Sequence, residues 1–362
     1  MLETTYLEYL EKTISSYTEK EKKYLVRELV NLGVASENEK YCKQQTLDGN
    51  IIIDISKGSL ADKVISCIQG SKIAIKFIEK WEFIRDYKYS SYFFSDSFED
   101  ILEKANDISL QNDCCENNYI STESIGNSIR YEDEERVFLK FNLAFSAVHP
   151  LSGEELLVKY PIVIVFHKGY QLLEIRFDVL KRVFLSDKKS QTIYVDILNQ
   201  VIDYFKESFE CELKPLNLDY LVNVCKNDNS VKLIAQYMKL ANGGNAQLEV
   251  GNNQEYVLPF LGELRELINA NQMALDNIPS FKEALEQFMY EMEEMSDYPW
   301  IELLWEHEIK TRSIRVKVIF NYRDSSYCLV QHYSSNVLIG MERMNYVVKY
   351  IVDNRIDDRP TI

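Results

Sequence analysis

From Val137 to Ala147 every second residue is apolar: Val137, Leu139, Phe141, Leu143, Phe145 and Ala147, with Lys140, Asn142 and Ser146 among the intervening positions. Successive side chains on a strand point to opposite faces, so this period of two specifies a β-strand with one apolar face. The turn-forming residues His149-Pro150-Leu151-Ser152-Gly153 lead into a second strand, Leu156 to Phe166. His167-Lys168-Gly169-Tyr170 then lead into a third, Leu172 to Asp178. Connections this short close antiparallel pairs, because a parallel crossover needs about a dozen residues or more. A three-stranded antiparallel meander is therefore expected at the centre of the chain. Pro161 has no N–H to give to a ladder, which predicts an edge position or a bulge in the second strand.

Before the meander the apolar spacing turns helical. Tyr6, Leu7, Leu10, Ile14 and Tyr17 mark one helix, and Thr18-Glu19-Lys20-Glu21 reads as a capping box opening a second that stops near Gly33. Asn50 to Ile55 reads as a strand, Leu60 to Ile68 as a helix capped by Ser59, and Lys72 to Ile78 as a further strand, together a small β–α–β element. The turn Ser56-Lys57-Gly58-Ser59 has a single glycine and lacks the spacing of a phosphate loop, so it reads as an N-capping turn. Residues 106–134 are polar and acidic, as in a linker or long surface loop. Beyond the meander, helices are predicted over 192–209, 217–241, 258–270 and 280–295. Met289, Met292 and Met295 are helically spaced, as in a core-facing or helix-contact stripe. Ile314–Phe320 and Tyr327–Tyr333 read as a hairpin, and Met341–Asp353 as a last helix.

The predicted fold is α+β: a helical N-terminal part, a central antiparallel β-meander packed against helices, and a C-terminal α+β part with a β-hairpin. The expected divisions are a mixed N-terminal domain over 1–105, a polar linker over 106–134, an antiparallel-sheet domain over 135–241 and a C-terminal domain over 254–362.

Composition narrows the function classes. The net charge of −16, from 57 acidic and 41 basic residues, repels phosphate backbones at long range and confines any nucleic-acid contact to a local basic patch. No run approaches the ~18 apolar residues of a membrane span, and the N-terminal residues lack the pattern of a secretory signal. Seven scattered cysteines do not form a disulfide framework, so a cytoplasmic protein is expected; vicinal Cys114-Cys115 is a possible redox or soft-metal pair. The 24 tyrosines and 17 phenylalanines suit strand-rich cores and contact surfaces.

The common signatures of enzymes are missing: four isolated histidines (149, 167, 307, 332) spell no metal site, and there is no nucleophile elbow, Walker loop or dinucleotide glycine cluster. No cofactor is expected, and the chain leans away from an enzyme. Two polar constellations stand out. Glu174, Arg176 and Asp178 alternate on one face of the third meander strand, with Lys159 and Lys140 able to face them. Same-face strand neighbours sit about 7 Å apart, a spacing at which carboxylates share a divalent cation, so Glu174, Asp178 and Lys159 are the candidate residues of a metal-dependent nuclease or phosphodiesterase. The plainer reading of that row is a solvated, ion-paired sheet face. The second constellation is the basic C-terminal set Lys310, Arg312, Arg315, Lys317 and Arg323, suited to a phosphate backbone, an acidic partner or a second copy. Pairing of those cations with the acidic helix over 283–294 is its plainer reading. The leading expectation is a binding or scaffold subunit of an intracellular multi-component assembly, with a protein partner or a homo-oligomer. The nuclease and a nucleic-acid reader using the basic strand are the alternatives. The Lys-, Ile-, Asn- and Tyr-rich vocabulary fits an AT-rich bacterial genome, a common setting for accessory defence and regulatory systems.

Overall fold

The computed structural model describes residues 2–42, 52–111, 120–121, 125–126, 128–149, 151–185, 192–239, 245–249, 264, 267–294, 297–309, 312–333 and 340–355. Cys114-Cys115, Lys310 and most of the helix expected over 258–270 lie outside these residues. The architecture is α+β and divides into two compact units: Met1–Lys88 with Tyr92–Lys214, and Tyr89–Ser91 with Pro215–Ile362. The expected segments 1–105 and 135–241 fall largely in the first unit, and 254–362 in the second.

In the first unit, α1 (Leu2–Ser16) and α2 (Glu19–Asn31) meet at the predicted capping box. The Glu21 N–H donates to the Thr18 hydroxyl at 3.3 Å, and the Thr18 N–H donates to the Glu21 carboxylate at 2.8 Å. These bonds satisfy donors that a helix start leaves orphaned. A short parallel pair, β1 (Ala35–Ser36) and β2 (Ile53–Asp54), precedes α3 (Leu60–Gly70), whose Ser59 cap forms a second box with Asp62. Gly70 is confined by packing, since a Cβ there would meet Ile53 Cδ1 at 2.8 Å.

The segment predicted as a strand over Lys72–Ile78 is a helix, α4 (Lys72–Ile84). Over seven residues Ile73, Ile75 and Phe77 mimic a period of two. The longer segment buries Ala74, Ile78 and Trp81 at helical spacing, and Ser71 caps it by accepting from the Ile73 N–H. Strand β3 (Tyr89–Phe94) has its first three residues in the second unit and the rest in the first, followed by α5 (Phe98–Asn106).

The meander forms as predicted, with β6 (Arg136–Val148), β7 (Glu155–His167) and β8 (Leu172–Phe177) in antiparallel register. Two short strands, β4 (Ile120–Ser121) and β5 (Ile129–Glu132), also pair with β6, the first parallel and the second antiparallel. The β7–β8 ladder spans Val163↔Arg176 to His167↔Leu172, so Pro161 lies beyond the reach of β8 and, among the described strands, pairs with β6 at Asn142. That is the local edge its missing N–H demands. Nearby, the Lys159 N–H donates instead to the Thr13 hydroxyl of α1 at 2.7 Å, so a helix closes this edge.

Helices cover both faces of the meander. On one, Phe141 meets Tyr204 of α6 (Ile193–Ser208) edge-on at 4.8 Å, and Phe166 lies 6.1 Å from Phe205. On the other, Phe138 meets Phe83 of α4 at 6.5 Å. Each fully buried Leu, Ile or Phe in these layers contributes about 1.5–3 kcal/mol. The short strand β9 (Lys214–Pro215) stands at the junction of the two units in sequence.

The second unit begins with α7 (Tyr220–Asn227) and β10 (Lys232–Lys239), where a single helix over 217–241 was expected. The helix ends because Asp228 folds an Asx turn, accepting the Ser230 N–H at 2.8 Å, and β10 follows at once. The remaining elements are β11 (Asn245–Glu249), α8 (Gln272–Leu275), α9 (Pro279–Glu294), β12 (Asp297–Trp305), the predicted hairpin β13 (Ile314–Ile319) and β14 (Leu329–His332), and α10 (Glu342–Asp353). The strands run antiparallel in the order β11-β10-β12-β13-β14, with Tyr89 and Ser90 paired to β14. Trp305 packs edge-on against Tyr346 and Tyr350 of α10 at 5.8 and 5.0 Å, which sets one sheet face into the core. No helix among the described residues is long and apolar enough to cross a membrane.

Candidate functional site

Residues paired across a sheet share a face, so the β6–β7 and β7–β8 registers put Lys140, Lys159, His167, Glu174 and Arg176 on the face turned to α4. The parity predicted for Lys140, Lys159, Glu174 and Arg176 holds; the solvated surface predicted for them does not. Lys140, Glu174 and Arg176 are 0% exposed and Lys159 1%. The cause is α4. Glu79 and Glu82 stand one turn apart inside its buried stripe and meet both lysines. The Lys140 amine donates to Glu79 and, at 2.9 Å, to Glu82; the Lys159 amine donates to Glu79 and, at 2.8 Å, to Glu82. The Tyr6 hydroxyl donates to Glu79, and the Tyr17 hydroxyl donates to Glu82 at 2.8 Å. Two anions and two cations thus neutralise one another within a single hydrogen-bonded cluster.

Burial alone would push the Glu79 carboxyl up, but Lys140 and Lys159 outweigh it and hold it down to about 2. The same contest lowers Glu82, and Glu79 and Glu82 raise Lys159 against the pull of burial. All three groups are therefore held charged at neutral pH, poorly placed to exchange a proton there. The cluster's chemistry is mutual charge satisfaction: it braces α4 and α1 against the sheet.

Glu174 belongs to a separate cluster. One of its oxygens accepts from Arg176 at 2.7 Å and bonds His167 Nε2 at 2.9 Å. Burial would raise this carboxyl, yet Arg176 and His167 hold it at about 2. Burial also lowers His167, more than Glu174 raises it, so the imidazole is neutral at pH 7. Asp178 has different partners: it pairs with Arg85 and accepts the Lys88 N–H at 3.0 Å. The Arg85 guanidinium lies 4.1 Å over the Tyr87 ring and 5.5 Å from that of Trp81.

The expected nuclease trio is therefore divided among three sets of partners. The 7 Å spacing applied to Glu174 and Asp178 belongs to residues two apart; four residues along a strand put them about 13 Å apart, with Arg176 between. Among the described residues no three His, Cys, Asp or Glu side chains converge as a cation site.

In the second unit the structure brings two of the basic candidates together. On the sheet face away from the Trp305 core, Glu302, Lys317 and Gln331 form one cross-strand row, and Tyr237, Trp300 and Ile319 the next. Arg315 donates twice to one Glu302 oxygen, and the Tyr333 hydroxyl donates to the other at 2.9 Å. Lys317 approaches Glu302 at 3.8 Å and lies 3.2 Å above the Trp300 ring, which stacks on Tyr237 at 6.4 Å. Burial lowers the Lys317 amine, partly offset by Glu302, and pushes Tyr333 up to about 12, reinforced by Glu302.

Arg315 and Lys317 thus find Glu302 on the adjacent strand. Arg312 and Arg323 are exposed beyond opposite ends of β13, apart from this group. Sequence reasoning missed Trp300, Glu302, Tyr333 and Tyr237. The alternation of Trp300, Glu302 and Leu304 between buried Ile301, Leu303 and Trp305 was the available signal. No family model matches the sequence, and no curated protein matches it significantly.

Proposed function

We propose that this protein is a binding component of a multi-protein assembly, and that it holds a protein partner on the outer sheet face of its second unit. The observation that carries this reading is the row of Tyr237, Trp300, Lys317, Arg315 and Tyr333 on one half-exposed face. Tyr, Trp and Arg are the residues that concentrate binding energy at protein interfaces, because each offers a large contact area and a polar tip. Glu302 pre-orders this face by fixing Arg315 and Tyr333, so less entropy is lost when a partner docks. It also neutralises much of the positive charge a phosphate backbone would need, which favours a protein over a nucleic acid. Cys42, Cys67, Cys211 and Cys328 are free thiols, which supports a reducing, cytoplasmic setting.

The test is a comparison. Tagged wild-type protein is expected to retain a partner from native extract after nuclease treatment, and Trp300→Ala to weaken that complex about 30-fold, the effect of losing a hot-spot side chain. Arg323→Ala, away from the row, is expected to leave it intact. A nuclease-sensitive complex would indicate the nucleic-acid reading, and a complex insensitive to Trp300→Ala would place the contact elsewhere.

A further inference from the structure

Resting on the reading of the outer sheet face as a contact surface, we infer that the partner segment it holds is acidic, with a carboxylate and an apolar side chain about 7 Å apart. At the centre of the face one carboxylate, Glu302, meets two cations, Arg315 and Lys317. One positive charge is left over. Lys232, at the end of the face, is taken by Glu306 at 2.8 Å. Glu249 stands on β11 in the same cross-strand row, with Ala235 and Glu302 between it and Lys317. Three strand spacings put it about 14 Å away, beyond the screening length of about 8 Å at physiological ionic strength. The same screening lets an acidic segment approach a chain of net charge −16 at this face.

The surplus charge is also held in place. Arg315 donates from Nε and Nη2 to one Glu302 oxygen, and the Tyr333 ring lies 4.7 Å from the guanidinium carbon. Its Nη1 has no partner among the described residues, and the side chain is 48% exposed. A guanidinium fixed along one edge and open along the other is a carboxylate receptor, because its remaining donors need little reordering. The Lys317 amine stands 3.8 Å from the other Glu302 oxygen, so an incoming anion meets both cations.

The apolar half of the motif comes from the adjoining row, Tyr237, Trp300 and Ile319, all half-buried. Tyr237 stacks on Trp300 at 6.4 Å and Lys317 lies over the Trp300 ring, which leaves an ordered apolar surface for one further side chain to cover. Neighbouring rows on one face are about 7 Å apart, the spacing of alternate residues in an extended segment laid along β12.

Selection of a random dodecapeptide library on the full chain tests this. Peptides that bind the wild type but not Trp300→Ala are expected to carry an aspartate or glutamate next but one to an aromatic or aliphatic residue. Exchanging that acid for its amide in a synthetic peptide is expected to weaken binding to the wild type about tenfold, the size of one charge-assisted contact. This readout needs no variant of the protein. Arg315→Ala, in which Lys317 alone balances Glu302, is expected to keep the apolar preference and to bind acid and amide about equally. Trp300-dependent peptides with no acid preference, or an amide that binds the wild type as well as the acid does, overturn the inference and leave the sheet-face reading standing. A library with no Trp300-dependent peptide also overturns it; the sheet-face reading falls with it only if Trp300→Ala keeps its extract partner as well.

Discussion

Replacing Lys159 with methionine is expected to lower the stability of the protein by about 3–5 kcal/mol, the cost of leaving a buried charge without its partner. Glu79 and Glu82 would share only Lys140, in a region where all four groups are 1% exposed or less. Methionine keeps most of the side-chain length, so the loss reports the charge rather than a cavity. The compensating change is as informative. Lys159→Met combined with Glu79→Gln removes one cation and one anion, restores neutrality and is expected to recover at least half of the loss. Urea midpoints of the two single variants and the double variant measure this coupling directly. An additive double variant would mean that the cluster does not act as a unit.

Arg176→Leu is expected to be comparably damaging at pH 8, by about 3–5 kcal/mol, because it leaves the Glu174 carboxylate in the interior beside the neutral His167 imidazole, without the guanidinium that balanced its charge. The effect should depend on pH with a definite sign. In the wild type His167 is held below its usual value, first by burial and then by the cations Arg176 and Arg136, against Glu174. A group lowered in this way binds fewer protons folded than unfolded, so its contribution to stability is present above about pH 6.5 and fades as pH falls below that. Removing Arg176 takes away one lowering influence and makes an imidazolium the natural counter-ion for Glu174. The variant's deficit relative to wild type is therefore expected to shrink between pH 8 and pH 6, accompanied by an upward shift of the His167 titration. A deficit constant across that range would remove His167 from the cluster.

These two clusters show where the sequence was legible. The period of two from Val137 to Ala147 identifies the strands, and strict alternation places Lys140, Lys159, Glu174 and Arg176 on one face; both follow from local geometry. Whether a face is wet depends on what packs over it, and that was hidden in α4. With Lys72–Ile78 read as a strand, Glu79 and Glu82 seem to be stray acids after its end. In a helix reaching Ile84 they stand one turn apart among Ala74, Ile78 and Trp81, and two acids within an apolar stripe call for buried cations. The capping box at Thr18 was legible because its partner lies three residues away, and Ser59 was legible as a cap, though not its box with Asp62. The division of 217–241 turned on the single Asx turn at Asp228, a weaker signal than the apolar spacing around it. The second-unit face was half legible: β13 shows Arg315 and Lys317 alternating outward, but their common partner Glu302 comes from another strand, at a register the sequence alone does not state.

The charged face of the meander is interior, an ionic brace rather than an open site. Lysine acylation of the native protein, followed residue by residue by mass spectrometry, tests it most directly. Lys140 and Lys159 are expected to stay unmodified while the exposed lysines react, and to become reactive only in denaturant concentrations that unfold the protein. Modification of either lysine in the native state at the rate of an exposed lysine such as Lys23 or Lys349 would contradict an interior brace.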